Sequence, residues 1–109
     1  MTACTVVLTD DAKADLQDIY DYVADYDAPL KADQLLGKLE KLVESLKSFP
    51  ERGAATKELS ALGIREYREI YFKPYRVIYR ITGKTVAVYL IVDGRRDMQS
   101  LLLRRLAGA

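Results

Sequence analysis

The chain has 109 residues, half of them hydrophobic and 30% charged, the balance of one soluble globular domain and not of a disordered or membrane chain. It carries 17 basic and 16 acidic side chains, one cysteine and no histidine, which excludes an intrachain disulfide, a His- or Cys-cluster metal site and imidazole catalysis. No apolar run approaches the roughly 20 residues needed to cross a bilayer, and Met1 to Thr5 shows no basic region leading into an apolar one, so a cytoplasmic protein without cofactor is expected.

Thr5-Val6-Val7-Leu8 reads as a strand, closed by Thr9-Asp10-Asp11, where Thr9 or Asp10 can cap a helix by accepting from its first free N–H groups. From Ala12, the residues Leu16, Ile19, Tyr20 and Val23 recur at helical spacing, with Asp15, Asp18, Asp21 and Asp25 on the other side. Asp25 to Pro29 interrupts this pattern. Pro29 suits the first turn of a second helix whose apolar stripe is Ala32, Leu35, Leu36, Leu39, Leu42, Val43 and Leu46, ending at Ser48-Phe49-Pro50. Helices joined so tightly should pair antiparallel.

Glu51 to Lys57 reads as a loop. Three strand-like runs follow, Ile64–Phe72, Pro74–Ile81 and Thr85–Val92, separated by Lys73-Pro74 and Thr82-Gly83-Lys84 as hairpin connections. The third run is apolar at both parities and should be covered on both faces or lie at the sheet centre. Met98 to Leu106 predicts a short last helix ending near Gly108, with Leu101, Leu102 and Leu106 packed inward and Arg104 and Arg105 outward. Helices grouped before an antiparallel meander indicate an α+β domain with one sheet face under the hairpin and the other partly open.

Charge divides along the chain. Residues 1–48 hold 5 Lys, no Arg and 10 acidic residues; residues 49–109 hold 3 Lys, 9 Arg and 6 acidic residues. Arginines set among tyrosines on a sheet suit an anionic partner, because guanidinium takes phosphate or carboxylate through a planar fork and tyrosine stacks or donates. The alternative is cross-strand pairing with Glu66 or Glu69. Period two puts Arg76 and Arg80 on one face; pairing is the reading adopted for Arg80, and binding for Arg76. For Arg95-Arg96, flanked by Asp93 and Asp97, local ion pairing and partner binding both stand. Cys4 has no histidine or basic neighbour to activate it and reads as a buried edge-strand residue, not a nucleophile.

Lys57-Glu58-Leu59, Gly63-Ile64-Arg65-Glu66-Tyr67-Arg68, Tyr75-Arg76-Val77-Ile78-Tyr79-Arg80, the apolar strand and Gly94-Arg95-Arg96-Asp97, in this order behind a strand and two helices, resemble the RelE/ParE superfamily of bacterial toxins. The resemblance spans nearly the whole chain and implies one domain, residues 1–109, with an antiparallel helical hairpin packed on a mainly antiparallel meander. RelE-like members cleave messenger RNA on the ribosome; ParE-like members inhibit DNA gyrase. Arg68, Arg76 and Arg96 match basic positions of the ribonuclease pattern. The lysine-rich strand of that pattern is replaced by Arg68-Glu69-Ile70, and Ser100-Leu101-Leu102-Leu103 stands where a C-terminal tyrosine is expected, so no base is at hand for the ribose hydroxyl. The ParE-like branch is therefore preferred, with growth inhibition and plasmid stabilisation as its implied setting. Implied target contacts are Arg95, Arg96, Arg104 and Arg105. Implied contacts to a ParD-like, ribbon-helix-helix antitoxin, in a toxin–antitoxin hetero-oligomer, are Tyr20, Tyr22, Tyr26, Leu35, Leu39 and Arg76. A non-toxic module that only binds an antitoxin is the third reading.

Overall fold

The computed structural model describes residues 3–107. Strand β1 (Thr5–Leu8) leads into α1 (Asp10–Tyr26) and α2 (Pro29–Glu44), which a 3₁₀ turn (Ser45–Lys47) extends. A two-residue strand β2 (Ala54–Ala55) and a one-turn helix α3 (Lys57–Ser60) precede β3 (Tyr67–Phe72), β4 (Tyr75–Thr82), β5 (Thr85–Asp93) and α4 (Met98–Ala107). The end of α4 foreseen near Gly108 lies outside the described residues. Local chemistry explains the boundaries. Thr9 has extended backbone and its hydroxyl accepts from the Ala12 N–H at 3.1 Å, capping α1. Pro29 opens α2, where its missing N–H removes a donor that would have no partner.

The five strands form one sheet in the order β1-β5-β4-β3-β2. The meander is antiparallel, with Tyr71 opposite Arg76 and Tyr67 opposite Arg80, while β1 joins β5 in parallel, from Thr5 opposite Thr85 to Leu8 opposite Val88. Ile78 faces Leu90 and Tyr79 faces Val88, so Tyr89 is an extra residue in β5. This bulge puts Val86, Val88 and Ile91 in one core and Leu90 and Val92 in another.

Those cores lie on opposite faces. Ala12, Val43 and Leu46 from the hairpin side pack with Ile70, Val77, Tyr79, Val86, Val88 and Ile91. Leu59 of α3 and Met98 and Leu102 of α4 pack with Ile78, Leu90 and Val92. The expectation of a partly open second face is thereby corrected: leucines of two short helices cover it, and β5, apolar at both parities, is buried on both sides as anticipated.

Candidate functional site

Because β1 is four residues long and β5 is nine, β5 has no strand beside it past Val88 on the β1 side. Two side chains take that place. The Asp15 carboxylate of α1 accepts from the Ile91 N–H at 3.0 Å, and Arg105 of α4 donates to the Tyr89 carbonyl at 2.8 Å and to both Asp15 oxygens at 2.8 and 3.0 Å. A sheet edge is thus closed by an ion pair that ties α1 to α4. Arg105, read from the sequence as an outward target contact, is instead spent inside the fold, and the Asp15 hydrogen bond raises its pKa. Arg104 remains exposed.

A groove of about 380 Å³ opens beyond this closure, between α1 and the β5–α4 loop. Ile19 and Tyr22 form one wall, Tyr75 and Ile91 its apolar floor, and Asp93, Arg95 and Arg96 the rim. Arg95 is bound to its own neighbour, its Nε and Nη2 reaching the Asp93 carboxylate at 3.0 and 2.6 Å, which holds Asp93 below the usual carboxylate range. With a side chain 79% exposed, this pair is weak and exchangeable. Arg96 is exposed, lines both this groove and an adjoining one of about 410 Å³ with Arg104, and has no acidic partner among the described residues. Asp97 accepts from the Ser100 N–H and hydroxyl at the start of α4, so it caps the helix and does not pair with arginine.

On the β3–β4 face the arginines are consumed. Arg76 is 4% exposed and donates Nη1 and Nη2 to Glu58 at 2.9 and 2.8 Å and Nη2 to Glu69. The pairing lowers the Glu58 pKa and raises that of Arg76. Tyr71 donates to Glu69, and its ring lies 5.7 Å from the Arg76 guanidinium. The reading of Arg76 as a partner contact is corrected: its charge is enclosed and answered by two carboxylates. Arg80 meets neither Glu66 nor Glu69 and lies over the Tyr67 ring, 5.7 Å from its centre. Arg68 donates to the carbonyls of Glu51 and Gly53 at 3.2 and 2.7 Å, fixing the loop before β2. Of the ribonuclease-pattern residues, the structure therefore does not bring Arg68, Arg76 and Arg96 to a shared surface.

The hairpin residues divide as well. Leu39 is fully buried, which removes it from any groove; Leu35 is half-buried; and Tyr20 donates to Asp33 at 2.9 Å, joining α1 to α2. Tyr22 and Tyr26 are 65% and 78% exposed, with ring centres 4.6 Å apart. Leu30, 67% exposed at the start of α2, was not singled out from the sequence, although its place one residue past Pro29 puts it on the tip of the hairpin. Asp15 and Glu58 were missed too, because their partners stand 90 and 18 residues away. Among the described residues no group of three His, Cys, Asp or Glu side chains is placed to hold a metal ion, and no helix is long and apolar enough to cross a membrane.

Comparison with known proteins bears on this architecture. Residues 6–98 match the model of the family described as the ParE toxin of the type II toxin-antitoxin system, parDE. The chain is 28% identical over 97 residues to Toxin ParE3 of Caulobacter vibrioides, covering 89% of this chain and 93% of that one. The fold is similar to that in the structure titled "Chromosomal ParDE TA system from P. aeruginosa", with a TM-score of 0.70 at 22% identity over 84% of this chain and 96% of the other. It is also similar to that in the toxin-antitoxin complex RelBE2 from Mycobacterium tuberculosis, with a TM-score of 0.61 at 20% identity over 84% and 99%. A family model that spans the first strand, the helical hairpin and the whole meander leaves one assignment: the chain belongs to the ParE toxin family of type II toxin-antitoxin systems.

Proposed function

We propose that this ParE-family toxin inhibits DNA gyrase without covalent chemistry of its own and is neutralised by a cognate antitoxin. The observation that carries the choice of target is the fate of Arg76. A strand arginine that cleaves RNA must put its charge beside a phosphate, whereas this one is enclosed with Glu58 and Glu69, whose summed charge exceeds its own. The cations left for a target are Arg95 and Arg96 on the groove rim and Arg104 on α4. A loop held at both ends by rigid elements presents them without cost to the core.

Supercoiling of relaxed plasmid by gyrase, titrated with the purified chain, tests the proposal: inhibition is expected, and it should weaken when Arg95 and Arg96 are both replaced by alanine while thermal stability stays within about 0.5 kcal/mol of the parent. Unaffected supercoiling, with ribosome-bound messenger cut in a parallel translation reaction, overturns it. For the antitoxin, the exposed Tyr22 and Tyr26 support a docking surface on the hairpin. Co-elution with the product of the adjacent reading frame is the expected result, and separate elution refutes that part.

A further inference from the structure

The tyrosine pair on α1 sits in a distinctly charged setting. Asp18, Tyr22 and Tyr26 stand four residues apart and therefore follow one stripe of the helix, with Asp21 and Asp25 alongside. Asp21 accepts only from Gln17, a neutral donor, and neither Asp18 nor Asp25 has a cationic partner among the described residues. Lys31 at the hairpin tip is already held by Asp27 at 3.1 Å, and Arg95 across the groove is held by Asp93. Arg96, unpaired among the described residues, stands on the far rim beside Asp18 and does not line the groove with Asp21 or Asp25. The aromatic surface is thus continuous through Tyr22 with the apolar groove floor of Tyr75 and Ile91, and is bordered along α1 by unanswered carboxylates.

We infer that this track receives a basic amphipathic segment of the antitoxin, with an aliphatic or aromatic side chain seated against Tyr22 and Tyr26 and lysines or arginines laid over Asp21 and Asp25. The inference rests on the antitoxin reading above and adds the chemistry of the segment. Two solvent-exposed tyrosines already in ring contact lose little further freedom when covered, which makes them suitable anchors. Carboxylates beside such anchors choose the sign of the partner: cations gain Coulomb energy there, and an acidic segment meets like charge. The charge balance of the C-terminal half pointed to acidic partner residues; on the hairpin the sign is the opposite.

The test measures affinity between the full chain and the product of the adjacent reading frame, by calorimetry at fixed salt, for the parent and three variants. Tyr22→Ala with Tyr26→Ala should weaken binding on the order of thirtyfold, as loss of a central anchor does. Asp21→Lys with Asp25→Lys should weaken it about tenfold or more, and Asp21→Asn with Asp25→Asn by a smaller factor in the same direction. All four aspartate and tyrosine positions are exposed, so each variant should fold, which circular dichroism checks before binding is measured. Parent binding that is unchanged or tightened by the lysine pair overturns the basic-segment inference and leaves the antitoxin reading intact. Absence of binding by the parent overturns both.

Discussion

Replacing Arg76 with leucine separates a structural arginine from a functional one. The side chain makes three charge-assisted hydrogen bonds in a site where its own exposure is 4% and that of Glu69 is 7%. At about 1.5–3 kcal/mol for each bond the gross loss is large. Two effects reduce it: the variant no longer has to desolvate a guanidinium, and Glu58, on the one-turn helix α3 and less buried than Glu69, can turn to water. Glu69 has no such escape. A net loss of about 3–5 kcal/mol is expected, the range for removing one partner of a buried ion pair, against a total of about 5–15 kcal/mol for a domain. Urea unfolding followed by circular dichroism at neutral pH measures it. Changing Glu58 to Gln and Glu69 to Leu in the same chain should restore most of the loss, since a whole buried network is exchanged for apolar side chains with little penalty. A single variant less than about 1 kcal/mol below the parent refutes the reasoning, as does a triple variant no more stable than the single one.

Acid should erase the contribution of Glu58. Arg76 holds its carboxyl below the ordinary value of 4.5, so its stabilisation is complete above pH 4.5 and is lost as pH falls through the lowered value. The stability gap between parent and Glu58→Gln should be full at pH 7 and narrow steadily below pH 4.5; a gap that is constant down to pH 3 contradicts this. Two glycines should respond with opposite sign. Gly37→Ala, in mid-α2 with nothing within 4 Å of the added carbon, should stabilise by roughly 0.5–1 kcal/mol, whereas Gly94→Ala places that carbon 2.6 and 2.8 Å from Arg76 Cδ and Cγ and should cost about 1–3 kcal/mol. Thermal melts of both variants check the pair. Asp15→Ala leaves the Ile91 N–H without its acceptor and Arg105 with only the Tyr89 carbonyl as hydrogen-bond acceptor, and should cost about 1–3 kcal/mol, with faster hydrogen exchange at the Ile91 amide as the local signature; unchanged exchange there refutes the edge-closing role.

Much of this architecture is legible in the sequence because it is written in short-range signals. Thr9 before a helical period, Pro29 at a first turn and a run apolar at both parities each act within a few residues, and they locate β1, both long helices and the doubly buried strand β5. β2 and α3 escape for the same reason: two alanines have no strand preference, and four residues from Lys57 to Ser60 hold too few turns to show a period. The ion pairs were legible only in part. Glu69 precedes its partner by seven residues on the adjacent strand and was among the candidates, while Glu58 and Asp15 reach their arginines through the tertiary fold alone. Charge counted along a chain says how many arginines are present and nothing of how many are spent.

That distinction decides where a partner can act on this toxin. The sequence suggests a sheet whose arginines await an anion, yet Arg68 holds a loop, Arg76 fills a buried pair, Arg80 covers a tyrosine and Arg105 closes an edge. The fold thus uses guanidinium chiefly as internal fastening, joining backbone carbonyls and carboxylates that apolar side chains cannot satisfy. Family membership does not depend on the open-sheet premise, since it rests on the matched residues 6–98. The site does depend on it. With the meander covered by α3 and α4 and its strand arginines engaged, the accessible chemistry moves to the rim at Arg95 and Arg96 and to the tyrosines and aspartates of α1. These two surfaces meet at Tyr22, on opposite sides of one groove and with opposite sign, so an antitoxin seated on α1 as proposed would extend towards the loop proposed for the target. Under the proposed function, steric exclusion would then suffice for neutralisation, with no change of conformation required.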